Sequence, residues 1–205
     1  MTKAAELHQA TSAERILTTA LDLFAVRGYD ATAVREICEA AGITKPTLYH
    51  FFGSKDGVLQ ALVQGGFQEF RALVQTALDT PGTFRHRVKV LARLVFESAS
   101  EKPLLWRFIH SVIWAPPGTA PSQTESCTEF YDGVVGLLAM AAQDAVAARE
   151  LAPGSVEARM LILMGSISEA ATGYVIAGKP TLTPELADQI VDAIFDGWQS
   201  HDSSL

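Results

Sequence analysis

Between Gly42 and Gly53 the chain has room for about two turns of helix and little more. The surrounding stretch reads AGITKPTLYHFFGSKDGV, Ala41 to Val58. A helix this short is marginal alone in water, because fixing its first turn costs more than two turns of hydrogen bonds return. It must be held by neighbours, which commits this part of the chain to a packed cluster of helices. Yet it carries Lys45, Thr47, Tyr49 and His50 among its apolar residues. Holding the helix needs only the apolar ones.

The flanking sequence supplies the neighbours. Thr11-Ser12-Ala13-Glu14 matches a capping box and predicts a helix from about Ser12 to Arg27, ended by Gly28. Its apolar stripe is Ile16, Leu17, Ala20, Leu21, Phe24 and Ala25. A second helix is expected from about Thr32 to Ala40, with Val34, Ile37 and Cys38 inward and a poor cap. Ala41-Gly42-Ile43 is a tight turn. Thr44 then caps the short helix, and Pro46 falls in its first turn, where a missing N–H matters least. Two helices joined by a short Gly-containing turn match the helix-turn-helix signature, although such a turn also occurs in many helical proteins that do not bind DNA; in that motif the second helix reads the major groove by its N-terminal residues. Those residues are Thr44, Lys45, Pro46 and Thr47. Lys45 suits guanine O6/N7 or phosphate, the threonines suit phosphates or bases, and Pro46 can touch a thymine methyl. Leu48 and Phe52, four apart, would face the core. Lys45 and Tyr49, also four apart, would share another face, with Thr47 and His50 beside it. Lys55 stands where backbone N–H groups and a positive side chain can clamp a phosphate.

The remainder also reads as helix. Ala, Leu, Glu and Arg recur at spacings of three and four, and alternating strand patterns are scarce. A long helix is expected from Ser54 or Lys55 to Asp79, then others at about 84–100, 102–114, 124–150, 155–178 and 184–199. The composition, 48% apolar and 19% charged, is globular. The fold class is therefore all-α. The first residues lack the apolar core of a secretory signal, and no uninterrupted apolar run approaches the ~18 residues of a membrane span. The expectation is a cytoplasmic chain with no membrane partner. Cys38 and Cys127 fit no metal spacing, and free thiols are expected.

The net charge is −7, but its distribution is uneven. Residues 1–55 carry six Lys/Arg and six Asp/Glu, so the acidic excess lies entirely in the rest. A neutral head on an acidic body is compatible with DNA contact through the head.

The stretch TAVREICEAAGITKPTLYHFFGSKDGVLQAL closely resembles the DNA-binding head of the TetR family of transcriptional regulators. Glu36-Ile37, Ala41-Gly42-Ile43, Thr47-Leu48-Tyr49-His50-Phe51-Phe52 and Ser54-Lys55-Asp56 fit its pattern, as do Phe24, Gly28, Tyr29 and Thr32. Cys38 stands where that pattern usually has Ala. The resemblance covers roughly residues 12–62. It implies that Tyr49 and Lys55 contact the DNA backbone, and that Lys45, Pro46 and Thr47 approach bases. Arg35 would reach a base or phosphate, and Thr44 is a weaker carry-over.

It also implies an organisation: a flexible arm over 1–11, a helix-turn-helix domain over 12–55, and a larger helical ligand-binding and dimerisation domain over 56–205. The helices near 156–177 and 184–198 are apolar over faces wider than one packing partner needs. Met160, Ile167, Tyr174, Ile190, Ile194, Phe195 and Trp198 are the expected dimer-interface residues, unless the two helices simply close a monomeric core. An effector pocket could draw on Phe67, Phe70, Trp106, His110, Trp114, Phe130, Tyr131, Met164 and Tyr174. These are apolar and aromatic with few polar handles, suited to a hydrophobic or aromatic small molecule. Ordinary core packing is the alternative for each. Arg85, Lys89 and Arg93 at spacings of four form either a solvated face or an extension of DNA contact.

The expected function is a ligand-responsive regulator, a repressor that binds a palindromic double-stranded DNA operator as a homodimer and leaves it when the effector binds. No cofactor or metal is expected. An enzyme is disfavoured because G-x-x-x-x-G-K, H-E-x-x-H and G-x-S-x-G are all missing from the sequence. A helical adaptor without DNA binding is disfavoured by intact Lys45, Tyr49 and Lys55.

Overall fold

A computed structural model of the chain describes residues 3–113 and 123–196, with side chains for 12–113, 130 and 132–196. The described residues form nine α-helices and no strand: α1 (Lys3–Arg27), α2 (Val34–Ala41), α3 (Lys45–Phe52), α4 (Lys55–Asp79), α5 (Phe84–Glu101), α6 (Pro103–Ile113), α7 (Gln123–Ala147), α8 (Val156–Ala177) and α9 (Pro184–Asp196).

α1 begins at Lys3, so the capping box expected at Thr11–Glu14 lies inside the helix. Residues 3–11 are Lys, Ala, Glu, Leu, His, Gln and Thr, with no Gly or Pro to stop a helix propagating backwards. α2 starts at Val34, later than expected, and its cap is supplied from within. The Glu36 carboxylate accepts the Ala33 N–H at 2.7 Å and pairs with Arg27 at 3.0 Å. Thr32 is buried and donates its hydroxyl to the Gly28 carbonyl at 2.8 Å.

The chain divides into two compact units, Met1–Gln68 with Leu104–Thr128, and Glu69–Pro103 with Glu129–Leu205. α4 is continuous and contributes to both. In the first unit Ile16, Ala20, Ile37, Leu48 and Val58 are fully buried, one or more from each of α1 to α4. Phe24 extends this core, meeting Tyr29 edge-on at 5.3 Å and stacking on Phe108 at 6.2 Å. In the second unit α5 packs on α8 and α9, which pack on each other. Its core includes Val88, Leu91, Ala92, Val95, Leu138, Ala171 and Val191.

α7 stops at Ala147, short of the expected 150, where Arg149 takes a left-handed φ of 60°. The freed Glu150 turns back, and its carboxylate accepts the Phe84 N–H at 2.6 Å at the start of α5. α8 has the length and hydropathy of a membrane span, a property that the sequence reading did not anticipate. Met160, Leu163, Ile167, Ala170 and Ala171 along it are buried within the unit, whereas Leu161, Ile162 and Ile176 stand exposed.

Candidate nucleic-acid interface

Three contacts fix the short helix α3. Leu48 is fully buried and pins it to the head, contributing about 1.5–3 kcal/mol by its removal from water. Thr44 caps it, its Oγ1 accepting the Thr47 N–H at 3.4 Å and lying 2.8 Å from the Thr47 hydroxyl. Gly42 ends α2 with φ 63°, ψ 41°, a left-handed conformation that Gly adopts without a Cβ penalty. Arg15 of α1 then grips this turn. Its guanidinium donates to the Ala41 carbonyl at 3.2 and 2.5 Å and to the Gly42 carbonyl at 3.1 Å. A cation on the last carbonyls of α2 also suits the negative end of that helix. Arg15 was not anticipated. Its partners lie 26 and 27 positions away, a contact that leaves no periodic trace in the sequence.

The opposite side of α3 is open. Thr44, Lys45, Pro46, Tyr49 and His50 are exposed and Thr47 is half-buried. Tyr49 is 47% exposed, high for an aromatic residue with a buried core one residue away. Phe52, expected in the core beside Leu48, is only half-buried, and the rings of His50, Phe51 and Phe52 run in sequence at 5.3 and 6.2 Å. Arg35 on α2 is exposed and held by Glu39 at 3.3 Å, one turn on. Six candidate DNA-contact residues on α3 and its cap, plus Arg35, are thus brought to the surface of one helix-turn-helix.

Lys55 is placed differently. Its ammonium donates to the Tyr29 carbonyl at 2.9 Å and the Thr32 carbonyl at 3.1 Å, and lies 4.1 Å from the centre of the Tyr29 ring. Asp56 beside it accepts the Tyr29 hydroxyl. The side chain expected to clamp a phosphate is engaged with the turn between α1 and α2.

The remaining candidates divide between the units. Phe67, Trp106 and His110 belong to the first; Phe70, Phe130, Met164 and Tyr174 belong to the second. Phe70 meets Phe130 edge-on at 5.7 Å. Trp114, Trp198 and the side chain of Tyr131 lie outside the described residues, as does the side chain of Cys127. Of the expected interface residues, Met160 and Ile167 are buried in their own chain at 3% exposure, which leaves them no surface for a partner. Tyr174, Ile190, Ile194 and Phe195 are half-buried, and Phe195 packs on Phe84 at 6.2 Å. The apolar residues α8 presents outward are Leu161, Ile162 and Ile176, each more than half exposed.

The basic row on α5 faces α9. Arg85 pairs with Asp192 and Asp196 at 2.5 Å each, Lys89 with Asp192 at 2.7 Å, and Arg93 with Asp188 at 2.5 Å. The row is an ion ladder within the second unit. Cys38 is buried, and desolvation raises its thiol above the ordinary value, which makes it a poor nucleophile. Among the described residues no group of three His, Cys, Asp or Glu could hold a metal ion.

The family profile for bacterial regulatory proteins, tetR family, matches residues 16–62. The HTH-type transcriptional repressor KstR2 of Rhodococcus jostii (strain RHA1) is 28% identical over 189 residues, covering 90% of each chain. The HTH-type transcriptional activator FasR of Mycolicibacterium smegmatis (strain ATCC 700084 / mc(2)155) is 29% identical over 119 residues, 56% of this chain and 54% of FasR. Among solved structures, the fatty acid degradation regulator FadR from Bacillus halodurans superposes with a TM-score of 0.77 at 19% identity, over 91% of this chain and 99% of that one. The transcriptional regulator FadR from Bacillus subtilis, crystallised in complex with stearoyl-CoA, superposes with a TM-score of 0.74 at 17% identity and the same coverage. At such identities the two structures speak to the fold alone.

Proposed function

Because this chain belongs to the TetR family of bacterial regulatory proteins, which regulate transcription through DNA and are not enzymes, we propose that it is an effector-released repressor acting as a homodimer on a palindromic operator in the cytoplasm. One observation carries the DNA-reading part. α3 buries Leu48 completely while Lys45, Pro46, Tyr49 and His50 stand exposed on the other side. In this reading Lys45 and Thr47 reach base edges, Pro46 meets a thymine methyl, and Tyr49, His50 and Arg35 contact phosphates or neighbouring bases. Repression is favoured over activation because the match to the repressor KstR2 runs through 90% of the chain, whereas that to the activator FasR runs through 56%.

The dimer face in this reading is the outward side of α8, through Leu161, Ile162 and Ile176, joined by the half-buried Ile190 and Ile194 of α9. A homodimer bound to a palindromic operator holds its two recognition helices one DNA turn apart, ~34–36 Å. Effector contact is assigned to apolar residues of the second unit, Phe70, Phe130, Met164 and Tyr174. The first compound class to test is a long-chain acyl-CoA, the kind of molecule bound to the Bacillus subtilis FadR structure. Binding there displaces α4, which reaches from that unit into the head, and so lowers affinity for one fixed operator spacing.

The test is a mobility-shift titration on a duplex that the protein itself selects from a random pool, with and without stearoyl-CoA. Release by stearoyl-CoA, but not by free CoA, supports the effector class. A complex indifferent to both removes that class and leaves the DNA reading standing.

A further inference from the structure

We propose that Lys55 and Asp56 act on DNA binding as positioning residues: they pin the first turn of α4 to the turn before α2, and Lys55 does not clamp a phosphate. The inference rests on the DNA-reading function above and deepens it. A lysine ammonium has three donors. Two are on the Tyr29 and Thr32 carbonyls, at 2.9 and 3.1 Å, and the charge lies 4.1 Å from the centre of the Tyr29 ring. To reach a phosphate, Lys55 would leave two carbonyls of a turn that the Thr32 N–H also closes onto Tyr29 O at 3.2 Å. The Tyr29 hydroxyl returns the grip by donating to Asp56. The turn is thus held on both sides by consecutive residues of one helix.

The grip matters because of what it adjoins. The Tyr29–Thr32 turn leads into α2, and α2 carries α3 through the Gly42 turn held by Arg15. At the other end of the short helix, Gly57 lies so close to α3 that an added Cβ would sit 1.8 Å from the Phe52 carbonyl oxygen. The start of α4 therefore touches both ends of the helix-turn-helix. With the pin in place, a displacement of α4 carries the head as one body. With it broken, α4 can shift while α2 and α3 stay, and the reading helices lose their fixed relation to α4.

Counterion release separates the two roles of Lys55. A residue that neutralises a phosphate lowers the steepness of log affinity against log salt by about 0.9 for each copy removed, about 1.8 for a homodimer. A positioning residue changes affinity without changing the slope. The measurement is a salt titration of binding to the selected duplex for the parent, Lys55→Met, Lys55→Arg and Tyr29→Phe, with amide hydrogen exchange over residues 29–36. Circular dichroism establishes that each variant is folded at the working temperature. The expected result is that Lys55→Met binds about ten-fold more weakly at an unchanged slope. Lys55→Arg recovers part of the loss, Tyr29→Phe loses affinity in the same direction, and exchange over 29–36 quickens in Lys55→Met and Tyr29→Phe. If Lys55→Met does not fold, Tyr29→Phe carries the test alone, since it removes a single hydroxyl. A slope that falls by about 1.8 in the Lys55→Met homodimer, with Tyr29→Phe indistinguishable from the parent, overturns the proposal in favour of a phosphate contact. Unchanged affinity and exchange in both variants also overturn it. A parent that selects no duplex sinks the DNA reading instead, and the exchange measurement still decides whether the pin exists.

Discussion

Two neighbouring residues of α3 should separate under substitution although both belong to the same reading helix. Leu48 is fully buried, so Leu48→Ala removes a core side chain and leaves a cavity, at a cost of about 2–5 kcal/mol. Its thermal midpoint should fall and its head should lose protection from hydrogen exchange. Lys45 is exposed, so Lys45→Ala should melt with the parent while binding the selected duplex more weakly, by about 1–3 kcal/mol if it reads a base. A Lys45→Ala protein that binds as well as the parent removes it from the interface. The residue scale is also where the sequence was easiest and hardest to read. Thr44, Lys45, Thr47 and Tyr49 were legible because helical periodicity separates a buried Leu48 from its neighbours. Arg15 and the engagement of Lys55 were not, because both depend on backbone carbonyls 23 to 27 positions away.

Among the elements, the α5–α9 ladder shows how a charge pattern can be seen and still mislead. Spacing of four put Arg85, Lys89 and Arg93 on one face, yet spacing within one helix says nothing of what lies across from it. The partners Asp188, Asp192 and Asp196 keep the same spacing on α9, a hundred residues later. Their carboxyls are held below the ordinary aspartate value of 3.8: Asp188 chiefly by Arg93, Asp192 by Lys89 and then Arg85, and Asp196 by Arg85. A folded-state value below the unfolded one means that the stabilisation is fully present above the unfolded value. It is lost as pH falls through the depressed folded values. The triple variant Asp188→Asn, Asp192→Asn, Asp196→Asn should therefore melt below the parent at neutral pH. The gap should close as the pH drops below 3.8 and narrow with added salt, because all three carboxylates meet solvent. A gap independent of pH would show that shape and not charge joins the two helices. Helix boundaries were legible wherever Gly, Pro or a capping Thr or Ser marks them, as at Thr44, Thr83 and Ser155. They were missed where the stop is conformational, as at Arg149, or where nothing interrupts the helix, as before Ser12.

For the whole molecule, the sequence showed that α8 is more apolar than one packing partner needs, but not which face is left over. Met160 and Ile167 were expected at a partner and serve the chain's own core, because total hydrophobicity cannot rank two apolar faces of one helix. The outward face is Leu161, Ile162 and Ile176. Leu161→Asp with Ile162→Asp should convert a dimer to a folded monomer in sedimentation analysis and weaken operator binding. If the parent itself sediments as a monomer, or the double variant remains a dimer, the assigned face is wrong.

The central claim is that an acidic protein reads DNA through one face of an eight-residue helix. The most direct measurement is affinity for the self-selected duplex, against a scrambled duplex of equal length, across a range of salt concentrations. The account predicts a palindromic selected sequence, tighter binding to it than to the scramble at every salt concentration, and log affinity that falls linearly with log salt. Equal affinity for both duplexes, or no salt-dependent complex with either, would contradict it.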